Sequence, residues 1–420
     1  MDFRSAAGYI KDRTPLSDLV REVTGDEGRN KGANSFFFRC PFHSENTGSF
    51  HVRDNEGSYK CFGCGEAGDA IDFVANSTGI SKRDALEYLY DRAGIQLDLD
   101  GSAEEKTRYQ ERRNTRGVMS ALADRCAAMI FSADAPDSVA LARKYATDLD
   151  LGNGVLMKFG VGAFDGLQIP VEDADPEAIK ALTMPLKEGR LIIPIRDASS
   201  RTIAFASRAL DGSQPKYLNS YVHDGIYEKK KVLYGIDVAR KSIMKTREVY
   251  FVEGYTDVWG MNAIGIENVV AVCSAQLTEE QAMSISSLVD IGVVIPDMDD
   301  AGRNGAIKSM IALASAGIVP YVAVLPISRG QDPYDCAKEY GEEMHEIVQK
   351  SGRMSFVEWI LDPVEKGDID QMTRSMRSVS EIISAMDDAL MREASLIAWS
   401  DHSGVPYSTL KNIADYSKRR

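Results

Sequence analysis

The stretch "REVYFVEGYTD", residues 247–257, decides the architecture of this chain. Val249 to Val252 is an apolar run of β-branched and aromatic residues, which reads as a strand buried on both faces. The run delivers Glu253 to its carboxyl end. A helix starting after Gly254 would bring Asp257, at i+4, to the same cleft. Working outward, "NVVAVCS" (268–274), "IGVVIPDMDDAG" (291–302) and "YVAVLP" (321–326) are further buried runs. Helical patterns separate them, and "TEEQAMSISSLV" (278–289) opens on a capping box of Thr278 and Gln281. This alternation argues for a parallel α/β sheet, whose site lies outside the carboxyl ends of its strands. Glu253, Asp257, Asp297 and Asp299 fall on that edge, and "QDPYDCAKEYG" (331–341) adds Asp332 after the fourth strand.

Carboxylates that converge repel one another unless a cation sits between them, and oxygen-only ligands favour Mg2+ or Mn2+ over zinc. Glu253, Asp297 and Asp299 are the expected ligands, with Asp257 and Asp332 nearby. Two such ions ~3.5–4 Å apart activate an attacking hydroxyl and stabilise a leaving group in phosphoryl chemistry. The same carboxylates fit nucleotidyl transfer and metal-dependent hydrolysis of a phosphodiester, and a decayed site would leave a non-catalytic binding factor.

Near the amino terminus, "CPFHSENTGSFHVRDNEGSYKCFGCGEAGD" (40–69) holds Cys40 and His43 in one pair and Cys61 and Cys64 in another. Two knuckles of this spacing fit a zinc ribbon, with Zn2+ held tetrahedrally by thiolates and imidazole. His51 competes with His43 as ligand but sits in mid-strand. Gly63 and Gly65 would relieve crowding in a knuckle turn. "SFFFRCPF", "SFHVRD" and "SYKCF" read as the strands bearing the knuckles. Phe36, Phe37, Phe38, Phe50, Tyr59 and Phe62 are stacking candidates for unpaired bases, at least half of them assigned to the core. Arg39, Arg53 and Lys60 are candidate phosphate contacts.

The chain has 420 residues, 44% of them hydrophobic, and a net charge of -14, which argues against a wholesale basic grip on nucleic acid but not against a local basic track. No segment approaches the ~18 uninterrupted apolar residues of a membrane helix. The first residues lack the pattern of a signal peptide, which leads to the expectation of a cytoplasmic protein with reduced thiols. "TPLSDLVREV" (14–23) reads as a short helix with Thr14, Pro15 and Ser17 as start signals. The polar segment 97–117 reads as a linker or a solvated helix. Beyond residue 356, helices carry apolar positions such as Phe356, Ile382, Leu390 and Ile397.

Taken together, "CPFHSENTGSF" and "YKCFGCGEAGDAIDFV" resemble the zinc-binding domain of DnaG-type bacterial and phage primases. "EGYTD" with "DMDD" resembles the TOPRIM catalytic fold, which primases share with topoisomerases and some nucleases. "GRLIIPIRDASSRTIAFASRALDGSQPKYLNS" (189–220) and "IYEKKKVLYGIDVAR" (226–240) look like the polymerase-specific subdomain of that family. The resemblance implies a structural zinc and catalytic Mg2+ or Mn2+. It further implies that Arg208, Lys216, Tyr217, Asn219 and Lys229 hold template and incoming nucleotide. The implied activity is synthesis of RNA primers from ribonucleoside triphosphates on single-stranded DNA, with the replicative helicase as a partner. The expected fold class is a multidomain α/β and α+β chain. It divides into a zinc ribbon domain (1–96), a charged linker (97–117) and a polymerase-specific α+β subdomain (118–245). A TOPRIM catalytic subdomain (246–345) and a helical C-terminal segment (346–420) follow. Three positions depart from the family pattern. Gly48 replaces a usual proline and is expected to loosen its turn, and Lys230 replaces a usual glycine. Tyr334 stands where a second aspartate is usual, leaving open whether Asp332 acts alone or Asp335 substitutes.

Overall fold

Five short strands form an antiparallel meander around the paired cysteines: β1 (Arg29–Gly32), β2 (Ser35–Phe38), β3 (Phe50–Arg53), β4 (Ser58–Cys61) and β5 (Ala67–Asp69). In the computed structural model the described residues are 5, 8–10, 13–95, 103–133, 135–166, 173–297, 299–326, 331–365 and 368–418. They fall into two compact units, Met1–Lys241 and Ser242–Arg420.

In the first unit, Phe38, Phe50, Val52, Tyr59 and Phe73 bury themselves behind the ribbon sheet, while Phe62 stays 63% exposed. Helix α1 (Leu16–Thr24) starts after Pro15 without a side-chain cap of its own. Instead of capping the helix, Ser17 donates its amide and its hydroxyl to Asp54 at 2.8 and 2.7 Å. A carboxylate from the β3–β4 turn thus satisfies a donor that the local sequence leaves open. Helices α2 (Ala70–Thr78) and α3 (Lys82–Arg92) follow, capped by Asp69 and Ser81.

Residues 96–102, where the expected linker begins, lie outside the described residues. From 103 the segment is helical, a solvated helix over its exposed first turns up to Arg108 and a helix fixed to its surroundings from Tyr109 on, with no loose linker among the described residues. Helix α4 (Ala103–Phe131) runs through residue 117 without a break. Thr115 is buried and accepts the Asp175 amide, while Asn114 donates to the Asp173 carbonyl at 2.8 Å. Polar residues with few apolar neighbours hid this helix because it is anchored by hydrogen bonds and ion pairs. Its second half packs Met119, Leu122 and Cys126 in the core. Beside it lies an antiparallel sheet in the order β6 (Gly162–Ala163), β7 (Arg190–Arg196), β8 (Thr202–Ala209), β9 (Tyr217–Asn219).

The second unit is built on the sheet β11 (Val269–Ala271), β10 (Glu248–Val252), β12 (Ile291–Val294), β13 (Val319–Ala323), β14 (Arg353–Ser355). Its first four strands are parallel and β14 is antiparallel. Val249, Tyr250, Phe251 and Val252 are all buried, as a central strand covered on both faces requires. The second run is shorter than its apolar length, because Cys273 turns to a positive φ of 52° and ends it. The Thr278–Gln281 capping box forms as read from the sequence. Past the sheet come helices 356–361, 369–385, 389–403 and 407–418. Phe356, Ile382 and Leu396 fill their core, but Leu390 and Ile397 are 82% and 50% exposed and take no part in it. Among the described residues no helix is long and apolar enough to cross a membrane.

Candidate active site and zinc centre

Cys40 follows β2, His43 lies two residues beyond the next proline, and Cys61 and Cys64 occupy the turn that closes β4. Their donor atoms all lie within 4.8 Å of one another. Cys40 Sγ and Cys64 Sγ are 3.8 Å apart, the edge of a tetrahedron with bonds of about 2.3 Å and far beyond a disulfide bond. Backbone amides of Phe42, Gly63 and Cys64 point at the sulfurs of Cys40 and Cys61 from 3.3–3.4 Å, stabilising thiolates. His43 turns Nδ1 toward Cys61 Sγ at 3.7 Å and Nε2 toward Glu45 at 3.5 Å. Glu45 also accepts the Cys40 amide and both donors of Ser49, which ties the first knuckle to β3. A Cβ at Gly63 would sit 2.5 Å from His43 Nε2, so only glycine permits this approach. At Gly48 a Cβ would lie 2.7 Å from the Phe38 carbonyl oxygen, so the backbone passes too close there for a side chain. His51 stands outside the donor set, pairing with Ser35 Oγ at 2.9 Å and stacking on Phe37. The donor chemistry and the sulfur spacing fit zinc.

In the second unit the carboxylates gather where the parallel strands end. Glu253 closes β10, its carbonyl held by the Cys273 amide. Asp257 is 4% exposed in the helix Tyr255–Ala263. One of its oxygens accepts the Gly254 amide at 2.8 Å; the other, Oδ1, is buried without a hydrogen-bond partner. Asp297 follows β12 and likewise has a buried, unpartnered Oδ1. Asp299 caps the helix Asp300–Ser315 by accepting the Gly302 amide at 2.7 Å. Asp332 caps the helix Pro333–Tyr340. Tyr334 stays close to the other helix, since a Cβ at Gly260 would meet its Cα at 3.0 Å.

The electrostatics agree with a cation site. The Glu253 carboxyl is pushed up to about 7 by burial and then by the Asp297 carboxylate, to which its protonated form donates. Asp257 is raised well above the usual range by burial, then by Asp332 and Asp297. Burial also raises Asp297, with Asp299 adding repulsion, and raises Asp332, with Asp335 and Asp297 adding theirs. Among the described residues only the cysteine–histidine set converges within 4.8 Å; the carboxylates are coupled pairwise. Two orphaned buried oxygens and shared negative charge are the features a divalent cation relieves.

Back in the first unit, Arg208 on β8 faces Tyr217 on β9, donating to its hydroxyl at 2.6 Å and also lying over the Tyr145 ring. Lys216 is exposed beside Tyr217, Asn219 pairs with Ala206, and Lys229 opens the short turn Lys229–Lys231. Sequence reading missed Arg190. It is 8% exposed and donates to Ser207 Oγ and to the carbonyls of Ser207, Pro215 and Lys216 at 3.0–3.3 Å. The available signal was a lone arginine at the head of the apolar run "RLIIPI".

Known proteins align with this layout in the same order. A CHC2 zinc finger model matches residues 4–105, the N-terminal domain of the DNA primase catalytic core matches 180–240, and a Toprim-like model matches 250–337. The DNA primase of Mycolicibacterium smegmatis is 33% identical over 371 residues, which span 80% of this chain and 57% of that protein. This chain therefore spans less than two thirds of that relative's length. A crystal structure of the Aquifex aeolicus primase, comprising its zinc-binding and RNA polymerase domains, is 26% identical. The match covers 96% of this chain and 98% of that one, with a TM-score of 0.58. The RNA polymerase domain of Mycobacterium tuberculosis primase is 25% identical, covering 70% of this chain and 98% of its own, with a TM-score of 0.54. With a zinc ribbon, a primase core and a Toprim-like sheet in this order, the chain is similar to DnaG-type DNA primases across all three parts.

Proposed function

We propose that this chain synthesises short RNA primers from ribonucleoside triphosphates on single-stranded DNA. The observation that carries the reading is the carboxylate edge at the ends of β10 and β12, with its two orphaned oxygens, in a chain that also bears a zinc ribbon. The M. tuberculosis polymerase domain that it resembles was solved in complex with double-stranded DNA, which supports a DNA partner here. Glu253, Asp297 and Asp299 would hold Mg2+ or Mn2+, with Asp257 and Asp332 behind them. When bound, the ions supply charge stabilisation for the attacking hydroxyl and the departing pyrophosphate. Arg208, Lys216, Tyr217, Asn219 and Lys229 bind template and nucleotide phosphates, and Arg190 fixes the start of the segment 215–219, which carries three of them.

The ribbon engages the template through one face of its sheet. Arg29, Phe37, His51 and Lys60 stand in one row across β1 to β4. The rings of Phe37 and His51 stack at 4.4 Å, and exposed Phe62 lies parallel to both. Bases stack on such a surface while the flanking cations hold phosphates. The replicative helicase is the further protein partner that this reading carries.

The test is incubation with mixed-sequence single-stranded DNA, labelled ribonucleotides and Mg2+, alongside Asp297→Asn. Short labelled RNAs lost in the variant are expected. Cleavage of the DNA without added nucleotides would overturn the reading in favour of a nuclease.

A further inference from the structure

Glu87 is a carboxylate with 0% exposure, on α3 of the ribbon module, and the groups that neutralise it come mainly from elsewhere. Arg112 and Arg116, both on α4, each donate to it at 3.1 Å, one to each oxygen. Arg83, one turn earlier on α3, lies 3.8 Å away. The pattern repeats along the same helix face. Arg113 of α4 pairs with Asp91 at 2.9 Å, and Arg116 reaches Asp84 at 3.9 Å. Arg201, in the β7–β8 turn and bonded to Asp197, sits over the Tyr88 ring at 6.0 Å. Arg240 is half-buried, and the charges that act on it come from Tyr88 and Glu22 of the ribbon module as well as from Asp197 and Asp237 on its own side. The ribbon side of this seam carries four acids, Glu22, Asp84, Glu87 and Asp91, against two arginines of its own, Arg92 paired with Glu22 and Arg83 near Glu87. The opposite side carries Arg112, Arg113, Arg116, Arg201 and Arg240. Helix α4 is itself held rigidly from behind by Asn114 and Thr115.

Such a seam differs from a hydrophobic core in what happens when it opens. Both of its faces are charged and regain water, so the separated halves stay soluble. Salt weakens it, and a polyanion competes for its arginines. We propose that Glu87 is the keystone of an ionic latch that holds the zinc ribbon on the polymerase portion of its own chain. The latch lets the ribbon present template to that portion in cis, and high salt or bound nucleic acid opens it. The cis role rests on the primer-synthesis reading; the latch itself does not.

The first readout is therefore independent of catalysis. Small-angle X-ray scattering of the full chain should show a radius of gyration that rises as salt is raised from about 50 mM to about 1 M. Glu87→Gln should be expanded already at low salt and insensitive to salt. Zinc content checks that its ribbon is folded. Arg112→Gln with Arg116→Gln, made on the other side of the seam, should reproduce the expansion while leaving the ribbon untouched. The second readout is the order of primer initiation in chain concentration. Tethering supplies an effective concentration on the order of millimolar, so the wild type should initiate in first order. Glu87→Gln keeps the tether but loses the docked geometry, so it should stay first order and initiate about tenfold more slowly at every chain concentration. Scattering curves that coincide for wild type and both variants at every salt would overturn the latch. Second-order initiation by a compact wild type would overturn its cis role. Absence of primers from every variant and from the wild type would count against the primer-synthesis reading, with the scattering result still deciding the latch.

Discussion

Asp332 and Asp335 cap one another: the Asp335 amide donates to Asp332 Oδ1 at 2.9 Å, and the Asp332 amide donates to Asp335 Oδ2 at 3.3 Å. Each carboxylate therefore lends one oxygen to the start of the helix. It is Asp332 that couples electrostatically to Asp257 and Asp297. Of the two possibilities left open at "DPYD", the geometry favours Asp332 acting without a substitute.

From this, Asp335→Ala should behave as a capping mutation. The cost is about 1 kcal/mol, or a fall in Tm of roughly 2–4 °C in a unit of this size, with primer synthesis within about threefold of wild type. Asp332→Asn keeps an oxygen for the cap while removing the charge. It should hold or raise Tm, because repulsion with Asp257 is relieved, and lose synthesis by about 100-fold or more. Thermal melts beside primer assays decide this. A silent Asp332→Asn with an inactive Asp335→Ala would reverse the assignment.

The carboxylate edge also predicts how pH and cation compete. Glu253 is raised to about 7 in the folded state, above the 4.5 of an unperturbed glutamate. A folded pKa above the unfolded one means that the folded state binds the extra proton. This contribution therefore favours folding as pH falls through about 7 and is lost above it. A divalent cation binds the deprotonated form and must displace that proton. The Mg2+ concentration that half-saturates the site should rise about tenfold for each pH unit below about 7 if one proton is displaced. Titrations followed by calorimetry at pH 6, 7 and 8 read this directly. A pH-independent midpoint would show that the ion displaces no proton from Glu253.

What the sequence revealed, and what it hid, follows from the range of the interactions. The strands of the second unit and the cysteine pairs were legible because each depends on neighbours within a few residues. Val249 to Val252 announces a buried strand unaided, and Cys61 finds Cys64 in its own turn. The cap that Asp54 gives Ser17 was not legible, because its partner lies 37 residues away. Helix α4 was half-hidden for the same reason: the groups that stabilise its polar half are Glu87 and Asp91, earlier in the chain. Strand β1, "RNKG", has no apolar signal and exists only because β2 offers it an edge. Leu390 and Ile397 misled because apolar residues in helices suggest a core without saying which face has a partner.

The two knuckle glycines should separate under mutation. Gly63→Ala places a methyl carbon against His43 Nε2 and should displace that ligand. Zinc stoichiometry measured by mass spectrometry should fall, along with the cooperative melting of the ribbon. Gly65 has a φ of 84° with open space around it, so Gly65→Ala costs only backbone strain of about 1 kcal/mol. Its zinc content should match the wild type. Equal zinc loss in both would mean that crowding at His43 is not what the glycine at 63 avoids.

Arg190 tests how firmly the basic strand must be held. Its guanidinium satisfies the carbonyls of Ser207, Pro215 and Lys216, two of them in the segment that leads into Tyr217 and Asn219. All three carbonyl bonds come from Nη2 and the bond to Ser207 Oγ comes from Nε; a lysine's single nitrogen cannot fill both positions, and a buried polar group left unpaired costs ~1–3 kcal/mol. Arg190→Lys should therefore lose roughly 1–3 kcal/mol of stability by urea melts. Assayed well below its melting temperature, it should also show a KM for ribonucleotide raised about tenfold with kcat changed much less, because Lys216 and Tyr217 lose their fixed positions while the carboxylate edge is untouched. Loss of stability with an unchanged KM would confine Arg190 to folding and detach it from nucleotide binding.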